Sequence, residues 1–183
     1  MTDIQQDIIN FWFEETQPPQ WFQKDEKFDQ EIQQRFGNAY QQAVTGEFDD
    51  WKQTAEGALA FCILLDQFPR NMFRDTPQAF ATDAKALAVS KYAVEQGLDQ
   101  QLEQKKRWFL YLPYEHSEDL ADQQKSVDLF AEMKEENPIA YDYAVRHKDV
   151  IDQYGRFPHR NKILGRDNTP EEEKYLSQDG AGF

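Results

Sequence analysis

The stretch Ala58-Leu-Ala-Phe-Cys-Ile-Leu-Leu65 is apolar on every side of a helix, and it decides the fold. A helix with no polar face is buried all round, so we expect the segment from about Thr54 to Leu65 to be the central helix. The run is far shorter than the roughly 20 residues that cross a bilayer. Cys62, the only cysteine of the chain, is predicted to be a small core residue, which excludes an internal disulfide and a cysteine metal cluster.

The segments on both sides of this helix also follow a helical period. Between Phe28 and Tyr40, for example, an aromatic or aliphatic residue recurs every four positions. No segment alternates in the way a strand does, or is rich enough in β-branched residues to favour one. The chain is therefore predicted to be a single all-α domain over residues 1–183, with about eight antiparallel helices packed as helical hairpins. Tetratricopeptide-like pairs are one form of this packing, but no clean 34-residue period shows, so the pattern does not choose between a solenoid and a globular bundle. The tail, residues 177–183, is expected to fray.

The charge of the chain excludes several classes of partner. Its formal net charge is −14 and its pI is about 4.6, so its overall field repels nucleic acid and anionic lipid surfaces. A secretory signal has a basic region ahead of a hydrophobic stretch, and the N-terminal residues do not show this pattern. We therefore expect a cytoplasmic protein that binds neither nucleic acid nor membrane. The sequence does not predict an oligomeric state.

Two short cationic segments stand out against this acidic background. The first elbow is Gln67-Phe-Pro-Arg-Asn71 with Arg74, and the second elbow is the segment from Tyr154 to Arg166, which contains Phe157-Pro-His-Arg-Asn161 and no carboxylate. Each follows an apolar helical segment. Because proline disfavours α geometry in the residue before it, Phe68 and Phe157 are predicted to be extended where their helices end.

The arginines of the elbows predict a binding site for an anion. An arginine presents a planar fork of donors that matches a carboxylate or a phosphate. If the two elbows face each other, they form a pocket for an anionic small molecule or for the carboxylate of a partner peptide. The alternative is that these arginines pair with Asp66, Glu115, Glu118 or Asp122 in a buried network between helices. The candidate ligand-binding residues are Arg70, Asn71, Arg74, Arg156, Arg160 and Asn161.

Histidines supply the candidates for catalysis. His116, His159 and Glu115 could act as acid and base groups in a small-molecule hydrolase or transferase. Ser117 is interpreted as a helix N-cap, because no nucleophile-elbow glycines surround it. No two histidines have the i, i+3 or i+4 spacing of a helical metal site, so we expect neither a metal nor a cofactor. His147 is predicted to be a solvated helix residue.

Four groups of motifs together resemble one protein family. They are Phe11-Trp-Phe13 with Trp21-Phe22, Leu65 through Arg74, Pro113-Tyr-Glu-His-Ser-Glu118, and Gly155-Arg-Phe-Pro-His-Arg-Asn161 through Thr169-Pro-Glu-Glu172. These motifs resemble the bacterial domain-of-unknown-function family 924 over almost the whole chain. The resemblance implies an all-helical, tetratricopeptide-like fold and implies no activity. Three functions therefore stay open: an anion-binding module, an enzyme that uses His116 and His159, and a structural scaffold for interactions.

Overall fold

The computed structural model describes residues 3–182, with every side chain among them except that of Phe22, and all of its regular structure is helical. The described residues contain no strand, which confirms the predicted all-α class. A π-helical turn joins α4 to α5 without a break, so these residues form nine continuous helices, close to the predicted eight. The helical segments are α1 Ile4–Asn10, α2 Pro18–Phe22, α3 Glu26–Thr45, α4 Ala55–Cys62, α5 Phe68–Met72, α6 Asp83–Glu95, α7 Gln104–Glu115, α8 Leu120–Ala131, α9 Pro138–Tyr154 and α10 Pro170–Leu176.

The described chain groups into two compact units. The first unit runs up to Arg74 and includes Gln78–Pro113, and the second unit comprises Asp75–Pro77 and the chain from Tyr114 onward. A single domain over residues 1–183 and a tetratricopeptide-like arrangement therefore stay predictions. Within the described part of the chain, no helix has the length and apolar character needed to cross a membrane.

The core of the first unit surrounds α4, as its apolar sequence predicts. Every residue of α4 except Glu56 is buried, and Cys62 is fully buried. Burial raises the pKa of the Cys62 thiol well above its ordinary value, which agrees with a packing role. Aromatic rings complete this core: Trp12 makes edge contacts with both Phe68 and Phe109, at centroid distances of 5.7 and 5.6 Å. Each such pair contributes about 0.5–1.5 kcal/mol beyond the burial of its area.

The first elbow is helical, and the prediction that Phe68 is extended was wrong. Phe68 has φ −58° and ψ −39°, and the helix continues through Pro69 to Met72. The π-helical turn Ile63–Gln67 explains the difference. It changes the hydrogen-bond register just before Pro69, so that the proline falls in the first turn of α5, where its missing N–H has no helical partner to lose.

The second elbow has the predicted geometry. Helix α9 ends at Gly155, which has φ +69°, a conformation that favours glycine. Phe157 follows with φ −88° and ψ 105°, so it is extended, as Pro158 predicts. Phe157 is fully buried and packs with Val150 and Ile151 in the core of the second unit. The sharp change of direction therefore places the residues after Phe157 beside the end of α9.

The expectation that Ser117 is the N-cap of α8 was wrong. Helix α7 contains Pro113 and continues to Glu115. The N-cap of α8 is Asp119, whose carboxylate accepts from the N–H groups of Ala121 and Asp122, and Ser117 donates instead to the Asp122 carboxylate at 2.9 Å. A carboxylate next to the first turn is favoured by the helix dipole as well as by the hydrogen bonds, which explains why Asp119 takes the cap.

Candidate functional site

The first elbow binds carboxylates of its own unit. Arg70 donates from Nη1 and Nη2 to the two oxygens of Asp83, at 2.9 and 3.0 Å. Its Nη1 also lies 3.3 Å from a carboxylate oxygen of Asp66, whose side chain is 1% exposed. Burial disfavours the charged guanidinium, but the two carboxylates outweigh burial and raise the pKa of Arg70. Arg70 therefore links α5 to the start of α6.

Arg74 and Asn71 bind a third carboxylate of the same unit. Arg74 donates from Nε and Nη2 to the two oxygens of Asp29, each at 2.8 Å, and Asn71 donates to the same side chain at 2.8 Å. Asp29 lies on α3, more than 40 residues earlier in the chain. These contacts join the end of the first elbow to α3.

In the second elbow, Arg156 forms a fork with Glu172. The two distances are 2.7 Å from Nε and 2.8 Å from Nη2, and Glu172 is 2% exposed. Glu172 also accepts from the Thr169 N–H at 2.8 Å, which completes the capping box of α10, and from Asn161 at 3.3 Å. The Arg156 fork, followed by these other donors, lowers the pKa of Glu172 to about 2 although burial opposes the shift. These hydrogen bonds hold the second elbow to α10.

Arg166 and Glu118 hold the second elbow from its other side. Arg166 donates to both oxygens of Glu118, at 2.7 and 2.9 Å, and its Nε donates to Asn161 at 2.8 Å. Glu118 also accepts from the Phe157 N–H at 2.8 Å. Burial raises the pKa of Glu118, but the Arg166 fork and the Phe157 N–H outweigh it and leave that pKa below its ordinary value. These contacts correspond to the alternative stated above for the elbow arginines, in which they pair with carboxylates of the protein.

Glu172→Gln is expected to lower the free energy of unfolding at pH 7 by about 1–2 kcal/mol. The amide keeps the shape of the side chain but replaces charge-assisted hydrogen bonds by neutral ones. Urea denaturation at pH 7 measures the change. Glu171→Gln, on an exposed neighbour in the same first turn, is the matched control and should cost less than about 0.5 kcal/mol.

The same variant has a defined pH dependence. Because folding lowers the pKa of Glu172 to about 2, its contribution is fully present above its unfolded pKa, near 4.5, and is lost as the pH falls toward 2. The difference in stability between wild type and Glu172→Gln should therefore shrink on acidification through this window. A difference that stays constant from pH 6 to pH 2.5 would contradict the role given to the carboxylate.

The three histidines of the chain come together in the second unit. The rings of His116 and His147 lie 6.3 Å apart between centroids, and Phe157 contacts His147 and His159 at 5.6 Å each. Arg160 stacks on Phe157 with its guanidinium carbon 4.5 Å from the ring centroid. Together with Glu115, whose carboxylate lies 3.2 Å from His147, these residues are called the histidine cluster: Glu115, His116, His147, Phe157, His159 and Arg160.

The prediction that His147 is a solvated helix residue was wrong. His147 is 7% exposed, and its Nδ1 lies 2.8 Å from the carbonyl oxygen of Tyr143 one turn earlier in α9. Burial is the largest cause of a lowered pKa of His147, and the positive charges of His116, Arg160 and His159 add to it, while the Tyr143 carbonyl opposes the shift; together these effects place the pKa at about 2. His147 is therefore neutral at physiological pH.

Arg160 is the arginine of the second elbow that belongs to this cluster. It is 7% exposed, and its Nη1 donates to the carbonyl oxygen of His116 at 3.1 Å. This contact ties the turn after Phe157 to the end of α7, so that His116 and His159 are brought to the same place from positions more than 40 residues apart. The buried guanidinium of Arg160 thus lies in one group with the imidazoles of His116, His147 and His159 and with the carboxylate of Glu115.

The tail of the described chain contacts the cluster. Gly182 lies so close to His159 that an added Cβ would be 2.9 Å from the His159 Cβ, and its N–H donates to the Tyr175 hydroxyl at 3.3 Å. Tyr175 packs in turn against Tyr154, with the ring centroids 5.2 Å apart. Gly182 therefore lies against His159 in this structure. The expected fraying of residues 177–183 stays a prediction, and Phe183 lies outside the described residues.

The structure brings together only some of the residues that the sequence predicted as a site. Glu115, His116, His159 and Arg160 share one cluster, whereas Arg156 and Asn161 contact Glu172 beside it. The first elbow belongs to the other unit, so the expectation that the two elbows face each other stays a prediction. Sequence reasoning missed His147, and the available signal was its i, i+3 spacing from Ala144 on a face of small residues. Within residues 3–182 no three histidine, cysteine or acidic side chains are arranged to hold a metal ion.

Comparisons with known proteins agree with the resemblance seen in the motifs. The model of a family described as bacterial protein of unknown function (DUF924) matches residues 8–180. A solved structure of a protein of unknown function from Agrobacterium tumefaciens is 42% identical and has a TM-score of 0.89. That match covers 95% of this chain and 97% of the other. No curated protein matches the chain significantly.

Proposed function

We propose a function for this chain, which belongs to the bacterial family of unknown function DUF924. The proposal is that the histidine cluster binds an anionic small molecule or the carboxylate of a partner peptide. The supporting observation is that every histidine of an acidic chain gathers with a buried arginine. The guanidinium of Arg160 and the ring N–H groups of His116 and His159 are donors of the kind that bind carboxylate or phosphate oxygens. Burial is the largest cause of the lowered pKa of His147, and the positive charges of His116, Arg160 and His159 add to that shift.

The ion pairs of four other arginines indicate which of the predicted site residues have a structural role. Arg70, Arg74, Arg156 and Arg166 each present both prongs of the guanidinium to one carboxylate of the protein. Such forks already have the geometry that an anionic ligand would need. We therefore assign these four arginines to holding helix ends together. The proposed ligand is centred on Arg160, His116 and His159 because the structure gathers these three side chains in one cluster. Asn71 and Asn161, which contact the same carboxylates, are assigned with them.

Binding of simple anions tests the proposed function. Isothermal titration and thermal shift with inorganic phosphate and with succinate, at constant ionic strength, should show saturable binding and a raised melting temperature. Arg160→Gln or His159→Gln should weaken that binding by about tenfold or more, because each removes a donor to the anion. Lys162→Ala, on an exposed cation of the same elbow, should leave the affinity unchanged.

Two outcomes would contradict anion binding. One is that neither anion shifts the melting temperature. The other is that Lys162→Ala weakens binding as much as Arg160→Gln does, because that result indicates a diffuse surface attraction. Addition of salt separates the two kinds of binding, since a buried pair is screened much less than exposed charges.

A second candidate is a small-molecule hydrolase or transferase, and one observation favours it. Two potential acid and base groups, His116 and His159, lie in the same cluster as the carboxylate of Glu115 and the cation Arg160. Such groups can move a proton and hold a negative charge during a reaction. A screen of anionic esters and phosphate esters for turnover that is lost in both His116→Gln and His159→Gln would support it. The third candidate, a structural scaffold, is favoured by the paired arginines alone.

A further inference from the structure

Three consecutive cations lie near the start of α7. Lys105, Lys106 and Arg107 are called the basic turn, and they follow one another in a chain that has 34 acidic residues and 20 basic ones. Lys105 is exposed, and Lys106 and Arg107 are partly exposed. The basic turn therefore presents three adjacent positive charges to the solvent.

Arg107 does not bind a carboxylate within the described chain. Its Nε donates to the carbonyl oxygen of Leu102 at 3.1 Å, whereas Nη1 and Nη2 make no hydrogen bond or ion pair with residues 3–182 and are not enclosed. Glu103 has the i, i+4 spacing of a helical ion pair with Arg107, but these residues form no such pair. The other arginines of the first unit each bind both oxygens of one carboxylate: Arg35, Arg70 and Arg74. The Leu102 contact thus orients the guanidinium of Arg107 and leaves its Nη1 and Nη2 fork to a carboxylate from outside the chain.

The two lysines of the basic turn are not neutralised by a close carboxylate either. Nζ of Lys105 lies 5.6 and 5.3 Å from the ring centroids of Phe13 and Trp21, and 3.5 Å from the Phe13 carbonyl oxygen. Nζ of Lys106 lies 3.8 Å from a carboxylate oxygen of Glu56, whose side chain is 58% exposed. Such a distance is too long for a hydrogen bond, and an exposed pair of this kind contributes little. The basic turn therefore keeps most of its positive charge for a partner.

The directions of the three side chains favour an extended ligand. Successive residues of a helix point about 100° apart, so three in a row spread over about 200° of the helix surface. The contacts agree with this spread, since Lys105 lies over Phe13 whereas Lys106 lies beside Glu56 of α4. A single small anion does not reach all three cations, but a peptide that carries several carboxylates does.

We infer that the basic turn binds an acidic segment of a partner protein, with one carboxylate on the Nη1 and Nη2 fork of Arg107 and further carboxylates near Lys105 and Lys106. The net charge of the chain does not prevent this contact, because charges beyond about 8 Å are largely screened at physiological ionic strength. A single strand of nucleic acid fits less well, since it also binds by stacking its bases on aromatic faces. The rings beneath Lys105 are buried, with Phe13 6% and Trp21 7% exposed. The inference concerns the first unit and does not depend on anion binding by the histidine cluster.

Fluorescence anisotropy of a labelled hexaglutamate peptide, titrated with the full chain at physiological ionic strength, tests this inference. We expect saturable binding that Arg107→Gln weakens by about tenfold or more, because a bidentate charged pair is lost. Arg107→Lys keeps the charge but not the fork, and it should lose most of the affinity as well. Lys105→Gln and Lys106→Gln should each weaken binding by about twofold to fivefold, as single exposed charges do. Lys125→Gln, on an exposed lysine of α8, is the matched control and should leave the affinity unchanged.

Four results would overturn the inference. Hexaglutamate does not bind, or Lys125→Gln weakens its binding as much as Arg107→Gln does. Alternatively, a single strand of six thymidine nucleotides binds as tightly as the peptide, which indicates a nucleic-acid partner. The fourth result is that Arg107→Gln lowers the stability in urea but keeps the affinity, which assigns Arg107 to holding the Leu102 carbonyl alone.

Discussion

Acidification below about pH 6 is expected to lower the free energy of unfolding by about 1.4 kcal/mol per pH unit through His147 alone. Folding lowers the pKa of His147 from its ordinary value near 6.5 to about 2. The unfolded chain therefore binds a proton at this site that the native chain does not bind. Stability from His147 is complete above pH 6.5 and is lost progressively as the pH falls toward 2, so two pH units remove about 2.7 kcal/mol.

Urea denaturation at several values between pH 7.5 and pH 5 measures this slope. The variant His147→Gln should lower it by one proton, whatever the variant does to stability at pH 7.5. The comparison is made above pH 5 because acidic groups with a lowered pKa, such as Glu118 and Glu172, add a slope of the same sign only at lower pH. The slope isolates the histidine because the other charged groups around it, Glu115, His116, His159 and Arg160, are present in both chains.

Two results would contradict this account. An identical slope in both chains would mean that His147 is solvated and binds its proton at the same pH in the native and unfolded states. A slope of the opposite sign would mean that a native partner, for which Glu115 is the candidate at 3.2 Å, stabilises the imidazolium. The sequence alone predicted that His147 is solvated, and a solvated His147 would give the first of these results.

The periodicity of α9 shows why His147 was missed. The apolar side chains Ile139 and Tyr143 predict a buried face that includes their positions, but they are 64% and 37% exposed. The buried face consists instead of two alanines, a histidine and two aliphatic residues near the end of the helix: Ala140, Ala144, His147, Val150 and Ile151. Alanine side chains allow α8 to approach closely. The face through Ile139 and Tyr143 and the face through Ala140 and Ala144 are offset by one residue. The apolar content of α9 alone does not predict which face is buried, because this depends on packing against a partner helix.

The two elbows also differ in how well local sequence patterns predicted their structure. Local rules were sufficient for the second elbow, since Gly155 and Pro158 restrict the backbone next to them and Phe157 is extended as a result. In the first elbow the π-helical turn removed the effect of Pro69, and no local pattern predicts such a turn. The carboxylates that hold the arginines were also missed in part, because Asp29 and Asp83 lie far from them in the sequence. Long-range pairing depends on the folded topology, which a single sequence does not specify.

Arg70→Met is expected to lower the free energy of unfolding by about 3–5 kcal/mol, the usual cost of removing one member of a buried ion pair. Methionine keeps most of the length and apolar surface of the arginine stem. The loss therefore comes from Asp66 and Asp83, which lose the guanidinium between them. Asp66 dominates, since its side chain is 1% exposed and water cannot replace the lost charge. Chemical denaturation at pH 7 measures the effect.

The matched control is Arg35→Met, on an arginine whose fork with Glu15 is exposed. The two side chains of that pair are 35% and 49% exposed, and such pairs contribute about 0–1 kcal/mol. In the double variant Arg70→Met, Asp66→Asn, part of the stability should return, because the uncompensated carboxylate is gone. If Arg70→Met costs no more than Arg35→Met, the first elbow is not a structural clamp. Arg70 would then be available to a ligand, as its sequence context first indicated.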